Sequence, residues 1–316
     1  MMGGIGENAV KACSFLPGAT DMIQRMGLAE QLVGVTFECR SDKPKVVRSV
    51  LEGRRMGSGE IDRTVKEHAR TNTPLYYIDI ELLRELAPDV IFTQHVCNVC
   101  QIGTAYVEQA IRELDKRPKL VPLVPQTFED VLDNAMTIAG ELGAPEAGVR
   151  HVEEVRERLR RLSGRLSGTV PVRVVFIEWL DPVYNSGHWI PDMIRLAGGI
   201  DLLGVPGGYS GPVDWQDVVG ADPDVIVAAP CGLSLEQAFR DMRSLAQRPG
   251  WETLRAVREN RVFLLDPDLF TCPSTALADG VELLAGLFHP ERIALPASLV
   301  GKRRVWQPDP SARGKS

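Results

Sequence analysis

The chain has 316 residues, of which 44% are apolar and 25% are charged, and its formal net charge is −6. This composition excludes wholesale disorder and allows two domains of ordinary size. The negative charge and the lack of a basic stripe with interleaved aromatic residues argue against a nucleic-acid partner. No apolar run approaches the roughly 18 residues that a membrane span needs.

Strands and helices alternate along the first half of the chain. Apolar runs predict four strands, at Val10–Phe15, Leu32–Phe37, Val90–Thr93 and Leu120–Val124. Helical spacing predicts five helices, at Asp21–Met26, Asp62–Arg70, Ile80–Leu86, Gly103–Leu114 and Phe128–Leu142. Thr20 is the expected N-cap of the first helix, and residues 40–73 form a long polar excursion around the second. The alternation implies a parallel sheet with right-handed crossovers.

One long amphipathic helix is predicted at Pro145–Leu166. Its apolar residues recur every three or four positions, at Val149, Val152, Val155, Leu159 and Leu162. At 1.5 Å per residue the helix is about 30 Å long, which is the width of a small domain. A rigid helix between two lobes restrains hinge opening, so we expect little closure when a ligand binds.

The second half of the chain repeats the pattern of the first. Pro-Asp-Val-Ile at residues 88–91 recurs at 223–226, and a cysteine lies just past each apolar run, at Cys97 and Cys231. Further strands are predicted at Val172–Ile177 and Val262–Leu265. The predicted fold class is α/β, with two doubly wound parallel-sheet lobes joined by one long α-helix. The expected parts are an N-terminal lobe at 9–143, the linking helix at 144–168, a C-terminal lobe at 169–290 and a tail at 291–316.

Chemically distinctive side chains follow several of the predicted strands. Open α/β sheets bind ligands at the carboxyl ends of their strands, so we expect these side chains to meet in a cleft between the lobes. The predicted ligand-binding residues are Glu38, His95, Glu178, Trp179, His188 and Trp189. The predicted metal ligands are Cys39, Cys97, Cys100 and Cys231. Thiolates of this kind hold Zn²⁺ or an iron–sulfur cluster.

Both groups also have a plainer interpretation. A single CxxC at Cys97 and Cys100 is weak evidence for a metal site, and a cysteine often serves as a small buried apolar residue. Trp179 and Trp189 either fill the space under a sheet edge or stack on a flat, largely apolar ligand. Two tryptophans and His188 within eleven positions favour the ligand.

The first residues predict a cytoplasmic location. Residues 1–11 lack a basic segment followed by an apolar one, so they do not read as a signal peptide. A periplasmic or surface-anchored location is expected only if the true N-terminus differs. In the cytoplasm thiols stay reduced, which favours ligands or reactive thiols over disulfides.

Four segments resemble the cobalamin-binding and iron-siderophore-binding receptors of ABC importers. Residues 12–21, with the sequence ACSFLPGATD, are similar to an opening signature of that family. Residues 32–36 and 86–91 are similar to its next two signatures, and residues 249–263 to a late one. The resemblance runs from about Ala9 to Pro290. It implies two α/β lobes joined by one long helix, a binding protein rather than an enzyme, and an ABC permease as partner. The cysteines resemble a cytoplasmic-type branch of the family.

Two hypotheses of different classes therefore stand. The first is a two-lobe protein that binds cobalamin or another metal chelate in the interlobe cleft. The second is a cytosolic metal- or iron–sulfur-binding protein ligated by the cleft cysteines. An enzyme that uses CxxC redox chemistry is a weaker third, because no motif for nucleophilic or metalloprotease catalysis is present.

Overall fold

Six strands form the sheet of the first lobe in this computed structural model, which describes residues 9–54, 56–71, 73–94, 104–112 and 114–307. The strands stand in the order β4-β3-β2-β1-β5-β6, and all pairs except β3–β4 are parallel. They are β1 (Ala12–Ser14), β2 (Leu32–Thr36), β3 (Lys45–Ser49), β4 (Tyr76–Ile78), β5 (Val90–Gln94) and β6 (Lys119–Leu123). The helices are α1 (Pro17–Arg25), α2 (Ser58–Thr71), α3 (Ile80–Leu86), α4 (Thr104–Ile111) and α5 (Phe128–Glu141).

The first helix begins earlier than the sequence predicted. Pro17 occupies its first turn, where a fixed φ favours the helix and the missing N–H has no helical partner to lose. Thr20, the expected N-cap, therefore lies inside the helix, and its hydroxyl donates to the carbonyl oxygen of Leu16 at 3.4 Å. Helix α5 has a complete capping box instead, formed by Thr127 and Asp130.

The predicted long helix is α6, at Pro145–Leu166. It packs against α5 of the first lobe and α11 (Leu277–Phe288) of the second. Val149 is exposed, so the buried stripe is shifted from the predicted one. That stripe consists of Ala147, Gly148, Val152, Val155, Leu162 and Leu166.

The second lobe has a five-stranded sheet in the order β10-β7-β11-β12-β13. Its strands are β7 (Val172–Ile177), β10 (Gly199–Asp201), β11 (Val225–Ala228), β12 (Val262–Leu265) and β13 (Arg303–Val305), and a short hairpin joins β8 (Trp179–Leu180) to β9 (Val183–Tyr184). The remaining helices are α7 (Ile190–Leu196), α8 (Trp215–Ala221), α9 (Leu235–Leu245), α10 (Arg255–Arg258) and α12 (Ala297–Val300). The predicted α/β class with parallel sheets is confirmed.

The segment after Pro290 is not simply a polar tail. It contributes α12 and then β13, which pairs antiparallel with β12. Trp306 follows β13 and is buried against Trp251, with ring centroids 5.3 Å apart. The prediction failed here because an edge strand of three residues leaves too short a pattern to recognise.

The buried residues divide the molecule into a back and a front face. One continuous core runs along the back of both lobes and includes residues of α1, α5, α6, α7 and α11. On the front, the described residues form two separate cores, one under α3 and α4 in the first lobe and one under α8 and α9 in the second. The lobes are thus joined at the back and separate at the front, which leaves a cleft between them. None of the described helices has the length and apolar character required to cross a bilayer.

Candidate functional site

The carboxyl ends of strands from both lobes meet across this cleft. Arg40, which follows β2, forms an ion pair with Asp268, which follows β12. Gly18 at the start of α1 lies against the carbonyl oxygen of Pro273, so closely that a Cβ at residue 18 would clash with it. The predicted convergence of strand ends is therefore present, and it joins residues more than 200 positions apart.

Acidic and thiol groups occupy one part of the cleft. Cys231 keeps accessible surface, but protein surrounds it on most sides. This partial removal from water, with Glu38, Glu178 and Asp268 nearby, raises the pKa of the Cys231 thiol to about 12. Partial burial, and then the charge of Asp268, also raises the pKa of Glu38 above its ordinary value. Burial therefore shifts both the thiol and the carboxyl group toward their neutral forms.

The predicted four-thiol metal centre is not supported. Cys39 is buried, its sulfur lies 3.0 Å from the Thr20 hydroxyl oxygen, and burial raises the pKa of its thiol to about 11. A buried thiol of this kind must lose its proton before it can bind a metal, at a cost that burial increases. Among the residues that the structure describes, no three His, Cys, Asp or Glu side chains are placed to hold a metal ion. Cys97, Cys100 and His95 lie outside the described residues.

Cys272 is the thiol that the sequence left unassigned. Burial, with Asp21 and Asp268 nearby, raises the pKa of Cys272 well above its ordinary value. Cys39 and Cys231 also influence Cys272, so three thiols lie in one neighbourhood of the cleft. No sequence motif links these three positions, because each follows a different strand.

Glu178 joins the end of β7 to a glycine-rich loop. One of its carboxyl oxygens accepts a hydrogen bond from the backbone N–H of Gly187 at 3.0 Å, and the carboxyl group also bonds the side chain of Ser210. Burial raises the pKa of Glu178 to about 7, although both hydrogen bonds lower it. The sequence prediction placed Glu178 at the cleft as a ligand contact, and the structure shows it holding the backbone of the cleft wall.

The loop at residues 204–211 is fastened to the turn at 185–189. Asn185 donates to the carbonyl oxygen of Leu203 at 2.7 Å and accepts from the N–H of Gly211 at 2.8 Å. Gly187 packs directly on the loop backbone, and a Cβ there would lie 2.7 Å from the carbonyl carbon of Tyr209. A side chain at residue 187 would thus push the loop away. These contacts fix the loop against the turn.

His188 and Tyr209 form an aromatic wall on this loop. The His188 ring lies edge-on to Tyr209, with centroids 5.2 Å apart, and Tyr209 is 67% exposed. Nδ1 of His188 is buried and has no partner among the described residues. Burial lowers the pKa of His188, so its imidazole is neutral at pH 7. Thr127 of the first lobe lies 3.8 Å from the Cβ position of Gly207, which places the loop against the opposite lobe.

The two predicted tryptophans have different environments. Trp189 is 4% exposed, stacks under His188 and donates from its indole N–H to the carbonyl oxygen of Phe270 at 2.7 Å. In this structure it supports the aromatic wall from the core and offers little surface to a ligand. Trp179 is partly exposed, and its indole N–H bonds the carbonyl oxygen of Asp181. Sequence reasoning missed Tyr209, although an aromatic residue in a glycine-rich loop after a strand is a usable signal.

Three known proteins are similar to this chain over most of its length. A vitamin B12-binding protein of Vibrio cholerae serotype O1 is 22% identical over 277 residues, which cover 87% of this chain and 87% of that protein. An uncharacterized ABC transporter substrate-binding lipoprotein of Bacillus subtilis is 24% identical over 295 residues, which cover 91% of this chain and 82% of the lipoprotein. The crystal structure of a periplasmic heme-binding protein from Pseudomonas aeruginosa matches with a TM-score of 0.67 at 18% identity, over 95% of this chain and 99% of that one.

The predicted cytoplasmic location is wrong. Of these similar proteins, one is a lipoprotein and another is periplasmic. The prediction relied on the lack of a leader pattern near residue 1, and an absence of that kind has no weight against positive similarity. Without a cytoplasmic location, there is no reason to expect that the compartment keeps the thiols reduced. The cytoplasmic-type branch of the family is likewise not supported.

The family itself is identified by a match that spans both lobes. A family profile described as "Periplasmic binding protein" matches residues 49–269, which are more than half of the chain. The matched segment contains the linking helix α6, Glu178 and the glycine-rich loop. The family resemblance stated from the sequence is thereby confirmed, and the chain belongs to the periplasmic binding protein family.

Proposed function

We propose that this protein binds a metal chelate of the corrinoid type in the interlobe cleft, outside the cytoplasm, and delivers it to an ABC permease. The observation that carries this proposal is the aromatic wall of His188 and Tyr209, which stands beside the point where Gly207 approaches Thr127 of the first lobe. We propose a binding function without a catalytic step.

A flat macrocycle fits the character of this wall. Aromatic rings that are exposed yet held by their neighbours supply a large apolar contact with little loss of conformational freedom. Val205 on the same loop is 53% exposed, and Val124 after β6 is 43% exposed, so apolar surface follows strands of both lobes. Two of the similar proteins bind vitamin B12 and heme, which are both macrocycles around a metal.

The predicted ligand residues take different parts in this proposal. Tyr209 and His188 contact the face of the macrocycle, and the neutral imidazole of His188 lets its ring stack without the cost of burying a charge. Trp179 and Glu38 line the cleft at its margins, and Glu178 positions the loop. His95, from the same prediction, lies outside the described residues.

Titration of the purified protein with dicyanocobinamide, and separately with hemin, tests the proposal. Saturable quenching of tryptophan fluorescence with one ligand per chain, checked by equilibrium dialysis, is the expected result for at least one of them. Tyr209→Ala is expected to weaken binding about ten-fold, because a stacked aromatic contact contributes about 0.5–1.5 kcal/mol beyond its buried area.

Tyr77→Ala is the matched control. Tyr77 is also an exposed tyrosine, but it lies on β4 at the outer edge of the first sheet. It is expected to leave affinity unchanged. Binding of neither chelate by the wild type, or equal losses in the two variants, would contradict the proposed function.

A further inference from the structure

Helix α2 is an element that neither the family resemblance nor the proposed function explains. It is inserted between β3 and β4 at the edge of the first sheet, within the polar excursion at residues 40–73. Half of its residues are exposed, and only Ser58 and Val65 are buried. Because most of a helix's stability in a protein comes from tertiary packing, a helix with so little buried surface depends on the contacts at its ends.

The start of α2 makes its contacts with the other lobe. The backbone N–H of Ser58 donates to the carboxylate of Asp241 on α9 at 2.7 Å. The carbonyl oxygen of Met56 accepts from the side-chain amide of Gln237, also on α9, at 3.5 Å. Met56 and Ser58 are both buried by this docking. A carboxylate at the first N–H of a helix also interacts favourably with the helix dipole.

Two glycines allow this close approach. A Cβ at Gly57 would lie 3.2 Å from a carboxylate oxygen of Asp241, and a Cβ at Gly59 would lie 2.7 Å from one of Asp181. Lys66, two turns further along, pairs with Asp62 at 2.7 Å, and this hydrogen bond, with smaller contributions from Tyr184 and Asp181, raises the pKa of Lys66. Helix α2 therefore touches α9 and the β8–β9 hairpin, which directly follows Glu178.

The contacts between α2 and the second lobe lie on the front side of the cleft. The continuous core joins the lobes along the back, so the front, where the cores are separate, is the side left for ligand entry. On the front the two lobes have separate cores, and α2 reaches from the first lobe to the second there. We propose that α2 is a strap across the front of the cleft, and that release of its N-terminal end from Asp241 admits and frees the ligand.

This inference deepens the proposed function, since it concerns access to the same cleft. A disulfide tests it directly, through the double variant Gly57→Cys/Asp241→Cys. A Cβ at Gly57 would lie 3.7 Å from Asp241 Cγ, close to where the sulfur of a cysteine at residue 241 would stand, so the two positions are near enough to be bridged. In the oxidised variant we expect the association and dissociation rates of dicyanocobinamide to fall at least ten-fold, and reduction to restore them.

A second measurement needs no ligand. Cys231 is an exposed thiol inside the cleft, so its reaction with a bulky maleimide, followed by mass spectrometry of its peptide, reports access to the cleft. The disulfide is expected to slow this labelling at least ten-fold. Equal labelling rates with the bridge closed and open would overturn the strap. Failure to bind chelate with slowed labelling would overturn only the proposed function.

A single substitution that weakens the contact between α2 and α9 is expected to speed the labelling of Cys231. Asp241→Asn removes the charge at the start of α2 and is expected to speed labelling of Cys231 about ten-fold, because a hydrogen bond to a charged group is stronger than one to a neutral group. Glu236→Gln is the control, since Glu236 lies on the same helix and its side chain is 76% exposed in an ion pair with Arg240. An unchanged rate in Asp241→Asn, or the same increase in both variants, would contradict the strap.

Discussion

The back and the front of this molecule hold the two lobes together in different ways. At the back, apolar side chains of both lobes form one core, and α6 crosses it. At the front, the backbone at the start of α2 forms hydrogen bonds with the side chains of Asp241 and Gln237 on α9. Apolar packing is strong and cannot be exchanged for water without loss, whereas a hydrogen bond can be replaced by one to water at a modest net cost. The fold therefore combines a fixed joint with a cleft that has a releasable edge.

The largest change in the free energy of unfolding is expected for a substitution in the core at the back of the molecule. Phe176 on β7 is fully buried and packs on Phe270 with ring centroids 5.5 Å apart. We expect Phe176→Ala to lower the free energy of unfolding by about 3–5 kcal/mol, because it leaves a cavity in the shared core. Both lobes should still unfold in one transition in urea, followed by far-UV circular dichroism and by tryptophan fluorescence. Two separated transitions in the wild type would show that the back core does not couple the lobes.

A smaller change in the free energy of unfolding is expected for Glu178, which lies between the core and the cleft. An unfolded Glu ionises near pH 4.5, whereas burial raises the pKa of Glu178 in the folded protein to about 7. Between these values the folded state holds more protons, so the free energy of unfolding falls as the pH rises through this window. The stabilisation is full below pH 4.5 and is lost as the pH passes about 7.

Glu178→Gln removes this dependence, because the amide stays neutral and keeps an oxygen for the N–H of Gly187. The difference in unfolding free energy between variant and wild type should change by up to about 3 kcal/mol between pH 4.5 and pH 8, in favour of the variant at high pH. Urea unfolding at several pH values measures it. Parallel pH profiles for the two proteins would show that Glu178 does not carry the proton.

The smallest change in the free energy of unfolding is expected when the ion pairs at the back are removed. Arg158 on α6 bonds Asp279 at 2.6 Å and Glu282 at 3.0 Å, both on α11. We expect Arg158→Leu to lower the free energy of unfolding by about 1 kcal/mol or less, since these side chains keep contact with water. Urea unfolding at low and high salt is the measurement. A loss as large as that of Phe176→Ala would mean that charge, rather than apolar packing, joins the lobes.

Local patterns predicted elements well where burial is regular. Helix α6 was predicted at its observed bounds, because its apolar residues recur with the helical period over six turns. Strands β7, β11 and β12 were likewise evident, since parallel strands buried on both faces read as continuous apolar runs. Patterns failed for α1, where Pro17 starts the helix, and for β13, which is an edge strand of three residues.

The candidate site was only partly predictable. The rule that strand ends converge brought Glu38, Glu178 and Cys231 to one cleft, and they do influence one another there. Residue type alone could not show that Trp189 faces the core while Tyr209 is exposed, because the direction of each side chain depends on how its loop packs. Nor could it show that the thiols are held protonated by burial.

The class of the fold, the two alternating halves and the helix between them can be read from local sequence patterns. These features follow from periodic burial and from backbone hydrogen bonding, which act over a few residues and leave a pattern in the local sequence. The residues of the aromatic wall and the docking of α2 depend instead on contacts between distant parts of the chain. Ser58 and Asp241 are 183 positions apart, and no local pattern records their contact, because it exists only when the shared core has set the two lobes side by side.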